Sequence, residues 1–258
     1  MSGQTMALAM TSLTGKRVII TGAARGLGRE FALHLAGLGA RVLAVDVLED
    51  ELEETCAAAA EHSAELLTAT VDVTSSEQTR RLGDRAGELM GGLDALVNNA
   101  AVVDLPRRPF DEISEGEWDR VLEVNLKGVW LCAKAAVPLL RQAGGGSIVN
   151  LASAVAFSGS PGVAHYVASK SAVIGLTRNL AKELGRDGIR VNAIAPGFIP
   201  TEASETMLAT GRYDTTATPL GRVGRPSDLL GALAFLVSDE SAFISGQTLL
   251  IDGGRLLH

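Results

Sequence analysis

The sequence predicts a doubly wound α/β fold, and three observations lead to it. Short apolar runs rich in Val, Ile and Leu alternate with longer helical patterns along the 258 residues. Most of the runs are nearly continuous in apolar character, as strands covered by helices on both faces are. The first run passes through a glycine-rich loop into the first helical pattern, the order of a βα unit in a parallel sheet.

The elements follow in order. The runs are RVIIT (17–21), RVLAVD (41–46), ELLTATVDV (65–73), LDALVNNA (93–100), SIVNLAS (147–153), RVNAIAP (190–196) and TLLID (248–252). A helix is expected from about Leu27 to Leu38, stopping at Gly39 as a C-terminal cap. Another begins at Ser114, where Ser114 and Glu117 have capping-box spacing. A third follows Pro161-Gly162, and a fourth starts near Ser227. No linker, repeat or low-complexity tract divides the chain, so one domain is expected over 13–258. Residues 1–12 lack the basic start of a signal peptide and read as a loose extension.

Composition excludes several classes. The chain is 47% hydrophobic and 21% charged, an ordinary globular balance. A net charge of -7 argues against a nucleic-acid surface, and Arg107-Arg108 reads as a short solvated loop. No run of eighteen apolar residues marks a membrane span. Cys56 and Cys132 lie in separate helical patterns, which fits neither zinc nor a disulfide scaffold and suits a reducing cytosol. His34, His62, His165 and His258 show no metal-ligand spacing, so no catalytic metal is expected.

The loop TGAARGLG (21–28) carries Gly22, Gly26 and Gly28. Glycines there let the backbone turn tightly and approach a phosphate, and the helix start offers free N–H groups to a pyrophosphate. The spacing is G-x3-G-x-G, and a glycine-rich turn of no function is the competing reading. Asp46 ends the second strand roughly 20 residues on, where an acid binds a ribose 2′-hydroxyl. Asp46 and Glu49 also match a capping box. Loop, strand and acid together favour a dinucleotide. The carboxylate repels the extra phosphate of NADP, while Arg25 in the loop could attract it. NAD is the expected cofactor.

In HYVASKSAVIG (165–175), Tyr166 and Lys170 lie one helical turn apart and share a face. A free tyrosine has a pKa near 10, so service as a base at neutral pH needs a shift of about three units, roughly 4 kcal/mol. A lysine ammonium ~5 Å away supplies about 3 kcal/mol at an effective dielectric near 20. A surface tyrosine beside a solvated lysine is the alternative. Two residues weigh against it. Ser153 lies at the C-terminal end of a strand, the edge where ligands bind in open α/β sheets. Asn125 shares a helical face with Trp118, Val121, Leu122 and Val129, and an amide in an apolar stripe needs partners. A structural contact and a catalytic place are equally open for Asn125.

These pieces together resemble the short-chain dehydrogenase/reductase family, in its compact single-domain branch, from about Leu13 to Gly254. The matching segments are TGAARGLG, Asp46, DV (72–73), NNA (98–100), Asn125, Ser153, YVASK (166–170) and PGFIPT (196–201). The resemblance implies a Rossmann-like seven-stranded parallel sheet with helices on both faces. It implies Tyr166 as general acid/base, Ser153 holding the substrate oxygen, and Lys170 binding the nicotinamide ribose and lowering the Tyr166 pKa. Asn125 would hold a water joining Lys170 to solvent. Asp72 and Val73 would contact adenine, Asn99 the neighbouring ribose, and Ile199 and Thr201 the nicotinamide amide and phosphates. Arg25, Leu27, Pro196 and Gly197 complete the cofactor surface. The family continues NNA with glycine, where this chain has Ala101.

The expected reaction moves a hydride between NAD and a secondary alcohol or ketone. Val155, Phe157, Val163 and His165 flank the catalytic residues, and a mostly apolar lining suits a substrate of modest polarity. The stretch from Phe198 to Arg225, with Ile199, Met207, Leu208 and Tyr213, reads as a substrate lid. A 3-oxoacyl-thioester reductase using NADPH is the alternative within the family, and Asp46 counts against it. A non-catalytic dinucleotide sensor needs no complete Asn-Ser-Tyr-Lys set. No G-x-S-x-G elbow supports a hydrolase. The resemblance further implies a homotetramer, with the helices bearing Asn125 and Tyr166 packed between subunits, and the tail RLLH (255–258) could meet a neighbour.

Overall fold

The computed structural model describes residues 12–61, 64–200 and 214–257. The strands are β1 (Arg17–Thr21), β2 (Arg41–Asp46), β3 (Leu66–Thr70), β4 (Ala95–Asn98), β5 (Gly146–Leu151), β6 (Ile189–Pro196) and β7 (Thr248–Ile251). They form one seven-stranded sheet in the order β3-β2-β1-β4-β5-β6-β7, with every pair parallel. Strand order reverses between β1 and β4, and an open α/β sheet binds ligands in the crevice beyond that point.

Helices α1 (Gly26–Gly37), α2 (Glu49–Glu61), α3 (Ser76–Met90), α4 (Glu115–Leu122), α5 (Gly128–Gln142), α6 (Val155–Ser158), α7 (Ala164–Leu184) and α8 (Ser227–Val237) surround it. Successive strand residues point to opposite faces. Val18, Ile20, Val42 and Ala44 pack with Phe31 and Leu35 of α1, Leu52 of α2 and Leu229 and Leu233 of α8. Ile19, Leu43 and Val45 pack on the other face with Leu82 of α3, Cys132 and Ala136 of α5 and Leu184 of α7. Each fully buried Leu, Ile or Phe stabilises this arrangement by about 1.5–3 kcal/mol. The continuous apolar runs follow from burial on both faces.

Helix α1 begins and ends within a residue of the expected limits, and Gly39 follows it at φ 91° with its N–H on the Ala36 carbonyl. The Ser114–Glu117 capping box forms as expected. β3 and β4 fall well short of their apolar runs, while β5 and β7 end one or two residues early. β4 stops at Asn98 because the Thr21 hydroxyl accepts the Asn99 and Ala100 N–H groups, both at 3.1 Å. Beyond β3 the Asp72 N–H turns to the Gln78 side chain at 2.8 Å instead of a strand.

Arg107 and Arg108 depart from the solvated loop expected of them. Arg107 Nη1 donates to the Pro161 carbonyl at 2.5 Å, and the Arg108 N–H donates to the Gly162 carbonyl at 3.1 Å. Arg108 also pairs with Glu117 at 3.3 Å. The pair ties the loop after β4 to the turn before α7. Cys56 and Cys132 are both free. Among the described residues no His, Cys, Asp or Glu cluster could hold a metal, and no helix is long and apolar enough to cross a membrane.

Candidate active site

The C-terminal edge of the sheet collects the glycine loop, the ends of β2, β4, β5 and β6, and the start of α7. Gly22 and Gly28 are required by close packing. A Cβ on Gly22 would fall 2.7 Å from the Ala100 Cα, and one on Gly28 would collide with the Gly22 carbonyl. Gly26 is different: it adopts φ +56°, and nothing lies within 4 Å of where its Cβ would stand. Arg25 precedes α1 in extended conformation without capping the helix through its side chain, and the first turn holds no acid. The leading N–H groups of α1, through Leu27 and Gly28, therefore have no side-chain cap beside open space. That chemistry fits an anionic diphosphate.

Asp46 is partly buried at the end of β2. Its Oδ2 accepts the Ala24 N–H at 3.0 Å, and its Oδ1 accepts Val47 N–H at 2.7 Å and Leu48 N–H at 3.3 Å. The capping box with Glu49 does not form, because the carboxylate turns back to the glycine loop and its own bend. Asn99 spends its Nδ2 on the carbonyls of Thr21 and Gly22, both at 3.0 Å, and so pins β4 to the glycine loop. Asp72 Oδ1 accepts from the Thr74 N–H at 2.9 Å and hydroxyl at 2.8 Å, and the Val73 side chain lies in the core against Gly128. Pro196 ends β6; the Gly197 N–H donates to Ile251 O at 2.8 Å, and a Cβ on Gly197 would press on the Asp252 Cα at 2.8 Å. Ile199 packs against the core. Ala101 is partly buried. Thr201, Met207, Leu208, Tyr213, His62 and His258 lie outside the described residues.

The sequence-named catalytic set comes together. Ser153 sits two residues past β5, and its side chain acts on the Tyr166 phenol to lower its pKa. Lys170 is 3% exposed; its Nζ donates to Leu151 O at 2.7 Å and lies 5.8 Å from the centre of the Tyr166 ring. Asn125 is fully buried in a π-helical turn, Glu123–Lys127, between α4 and α5. Its Oδ1 accepts the Val102 N–H at 2.7 Å, and its Nδ2 donates to Val102 O and Ser169 Oγ, both at 3.2 Å. The Ser169 hydroxyl in turn donates to the Tyr166 carbonyl at 2.8 Å. Of the apolar residues expected beside Asn125, Val121 and Val129 are buried but Trp118 is exposed. His165 is 1% exposed with an unpartnered Nδ1, a buried residue beside Tyr166. Val163 is buried, while Phe157 lies at the surface.

The electrostatics differ from expectation. Burial pushes the Tyr166 phenol above its ordinary pKa, and the Ser153 side chain only partly offsets that. Burial pulls Lys170 down to about 8. The expected lowering of the phenol by a lysine cation is not present in the protein alone. Low local dielectric penalises both charged forms, and the Lys170 ammonium is itself disfavoured there.

Sequence reasoning missed Thr21, Arg29, Thr55 and Ser169. Thr21 lies inside the quoted loop, but a hydroxyl that accepts two amides across the sheet leaves no local pattern. Thr55 and Arg29 are 26 positions apart on facing helices, with Arg29 Nε 2.9 Å from Thr55 Oγ1, and no sequence spacing marks them.

A family model described as enoyl-(acyl carrier protein) reductase matches residues 22–255. The 3-oxoacyl-[acyl-carrier-protein] reductase of Thermotoga maritima is 38% identical over 95% of this chain and 99% of its own length. A short-chain type dehydrogenase/reductase from Mycobacterium marinum superposes with a TM-score of 0.90 at 34% identity, covering 96% of this chain and 98% of that one. A 7α-hydroxysteroid dehydrogenase complexed with NADH and 7-oxo glycochenodeoxycholic acid gives 0.89 at 32% identity, over 96% of this chain and 98% of its own. With its sheet order, its glycine loop and these relatives, the chain belongs to the short-chain dehydrogenase/reductase family and is an oxidoreductase acting on CH–OH or keto groups.

Proposed function

We propose that the protein moves a hydride between NAD and a secondary alcohol or ketone, with Tyr166 as general acid/base. The convergence of Ser153 and buried Lys170 on the Tyr166 side chain carries this reading. When bound, the nicotinamide supplies the hydride chemistry. The protein holds the substrate and moves the proton. Ser153 fixes the substrate oxygen beside the phenol, and Tyr166 gives a proton to a carbonyl oxygen or takes one from a carbinol. Lys170 spends one N–H on Leu151 and has two left for a ribose hydroxyl. Asn125 and Ser169 brace the helix turn that carries Tyr166. Arg25, the α1 N-terminus, Asp46, Asp72, Val73, Asn99, Pro196, Gly197, Ile199 and Thr201 form the cofactor surface in this reading.

NAD is preferred over NADP because the Asp46 carboxylate is tied by three backbone N–H groups and cannot swing from an incoming phosphate. Exposed Arg25 is the opposing attraction. The Thermotoga relative favours a second reading, an NADPH-dependent 3-oxoacyl-thioester reductase. We further propose a homotetramer in a reducing cytosol; the exposed aromatics of α4 and α5 and the two free cysteines support it.

The test is NADH formation across a panel of secondary alcohols, beside NADPH oxidation with a 3-oxoacyl thioester. Oxidation of at least one alcohol with a higher kcat/KM for NAD than for NADP is expected. Tyr166→Phe should lose on the order of 10²–10⁴-fold in kcat and still bind NAD. Undiminished turnover by Tyr166→Phe removes that residue from the mechanism, and thioester reduction with NADPH alone gives the second reading.

A further inference from the structure

The glycine loop is held by more than its glycines. Ala23 and Ala24, just ahead of the uncapped amides, have both N–H groups and the Ala24 carbonyl engaged, and the Ala23 carbonyl lies within reach of a hydroxyl. The Ala23 N–H donates to Val45 O at 3.1 Å and the Ala24 N–H to Asp46 Oδ2 at 3.0 Å. On the carbonyl side, Arg29 Nε donates to Ala24 O at 2.9 Å. Thr55 Oγ1, from α2, lies 3.1 Å from Ala24 O and 3.3 Å from Ala23 O. Thr55 is fully buried. Its hydroxyl also accepts from Arg29 Nε at 2.9 Å. Arg29 is steadied in turn by Glu51 O at 3.2 Å and the Glu54 carboxylate at 2.9 Å.

A threonine inside a helix is satisfied by the carbonyl four residues back, and Thr55 has Glu51 O at 2.9 Å. That contact alone does not account for its place. The same oxygen accepts from a guanidinium of α1, and its one proton has the Ala24 and Ala23 carbonyls of the loop within reach as well as Glu51 O. The next residues, Arg25 to Gly28, supply the N–H groups left free for an anion, and their position is inherited from the held pair. We infer that Thr55 and Arg29 are positioning residues for the dinucleotide, clamping Ala23–Ala24 so that the first-turn amides of α1 are preorganised for the pyrophosphate. This rests on the dinucleotide reading above. It assigns α2, which carries none of the catalytic set, a part in cofactor affinity.

The clamp acts on the diphosphate and adenosine half and leaves the Tyr166 end unchanged. Its loss should weaken NAD and ADP-ribose by the same factor and spare kcat. Thr55→Val keeps the shape and removes the hydroxyl; Thr55→Ser keeps the hydroxyl. Calorimetric titration of the full chain with NAD and with ADP-ribose is the experiment, with kcat and Tm followed alongside. Thr55→Val is expected to weaken both ligands about tenfold, the scale of one buried hydrogen bond, with kcat within about twofold and Thr55→Ser near wild type. Unchanged binding by Thr55→Val overturns the clamp, and so does a loss confined to NAD. If Thr55→Val does not fold, Arg29→Lys, which lacks the planar Nε donor, takes its place with the same expected outcome. A wild-type chain that binds neither ligand removes the dinucleotide reading and the clamp with it. A wild-type chain that binds both, beside variants that bind equally well, removes only the clamp.

Discussion

Burial acts on Tyr166 and Lys170 in opposite directions on the pKa scale and for one reason: each resists becoming charged. The Lys170 pKa falls from 10.5 to about 8, while that of Tyr166 rises above 10.0. For Lys170, the unfolded chain binds the extra proton between pH 8 and about 10.5, so this group makes stability rise with pH across that window. For Tyr166, the unfolded chain loses its proton first above about pH 10, so its contribution falls from there. Urea denaturation at pH 7.5, 9 and 10 reads the balance. Wild type is expected to gain stability relative to Lys170→Met between pH 8 and 10; parallel profiles would show that Lys170 is not held near neutrality. The same logic sets the pH dependence of the reaction. With Tyr166 as the proposed acid/base, alcohol oxidation would require the phenolate and should speed up with pH, while ketone reduction would require the phenol and should slow. The sequence placed the four catalytic candidates because Y-x-x-x-K spacing and a strand-end serine are local patterns. It misjudged their charge state because desolvation is set by surroundings that come from β5, β6, α4 and α6 packed around α7.

At the scale of elements, the segment from Ser114 to Gln142 shows what a pattern does and does not carry. The capping box fixed where α4 begins, since both partners lie within four residues. The π turn at Glu123–Lys127 left no mark, because an extra residue per turn needs no particular side chain. Both open readings of Asn125 receive something: its amide satisfies both backbone groups of Val102, and its Ser169 contact leads to Tyr166. Asn125→Ala strands a buried N–H and C=O and should cost about 2–3 kcal/mol. Ser114→Ala, at an exposed cap, should cost about 1 kcal/mol. Urea midpoints for the two variants check the order; equal losses would mean that water reaches Val102. The strand runs at 65–73 and 93–100 overreached for a related reason. Apolar character persists where backbone pairing has ended, and the pairing is cut by Thr21 and Gln78, one on β1 and one in the first turn of α3.

For the whole molecule, the parallel doubly wound sheet was legible, because alternating runs with right-handed crossovers leave few other topologies. The outer surface was not, since an amphipathic pattern does not say whether a second apolar stripe meets its own chain or another. Trp118 was read as part of a buried stripe and is 38% exposed; Phe110 is 79% and Trp130 45% exposed on the same side. Leu122, Leu126 and Leu176 line a groove beside Trp130. Aromatic side chains left open beside aliphatic ones mark an association surface. Lys134 lies 5.3 Å from the centre of the Trp130 ring and shields one part of it only. Because the turn between α4 and α5 carries Asn125 and α7 carries Tyr166, association on this face would stiffen the helices behind these residues. Light scattering coupled to gel filtration should give several copies for wild type and a smaller species for Trp118→Glu with Trp130→Glu. The double variant should also lose kcat more than NAD affinity, since the glycine loop joins β1 to α1, away from this face. A wild-type monomer with full turnover would rule out both the assembly and its coupling to the site.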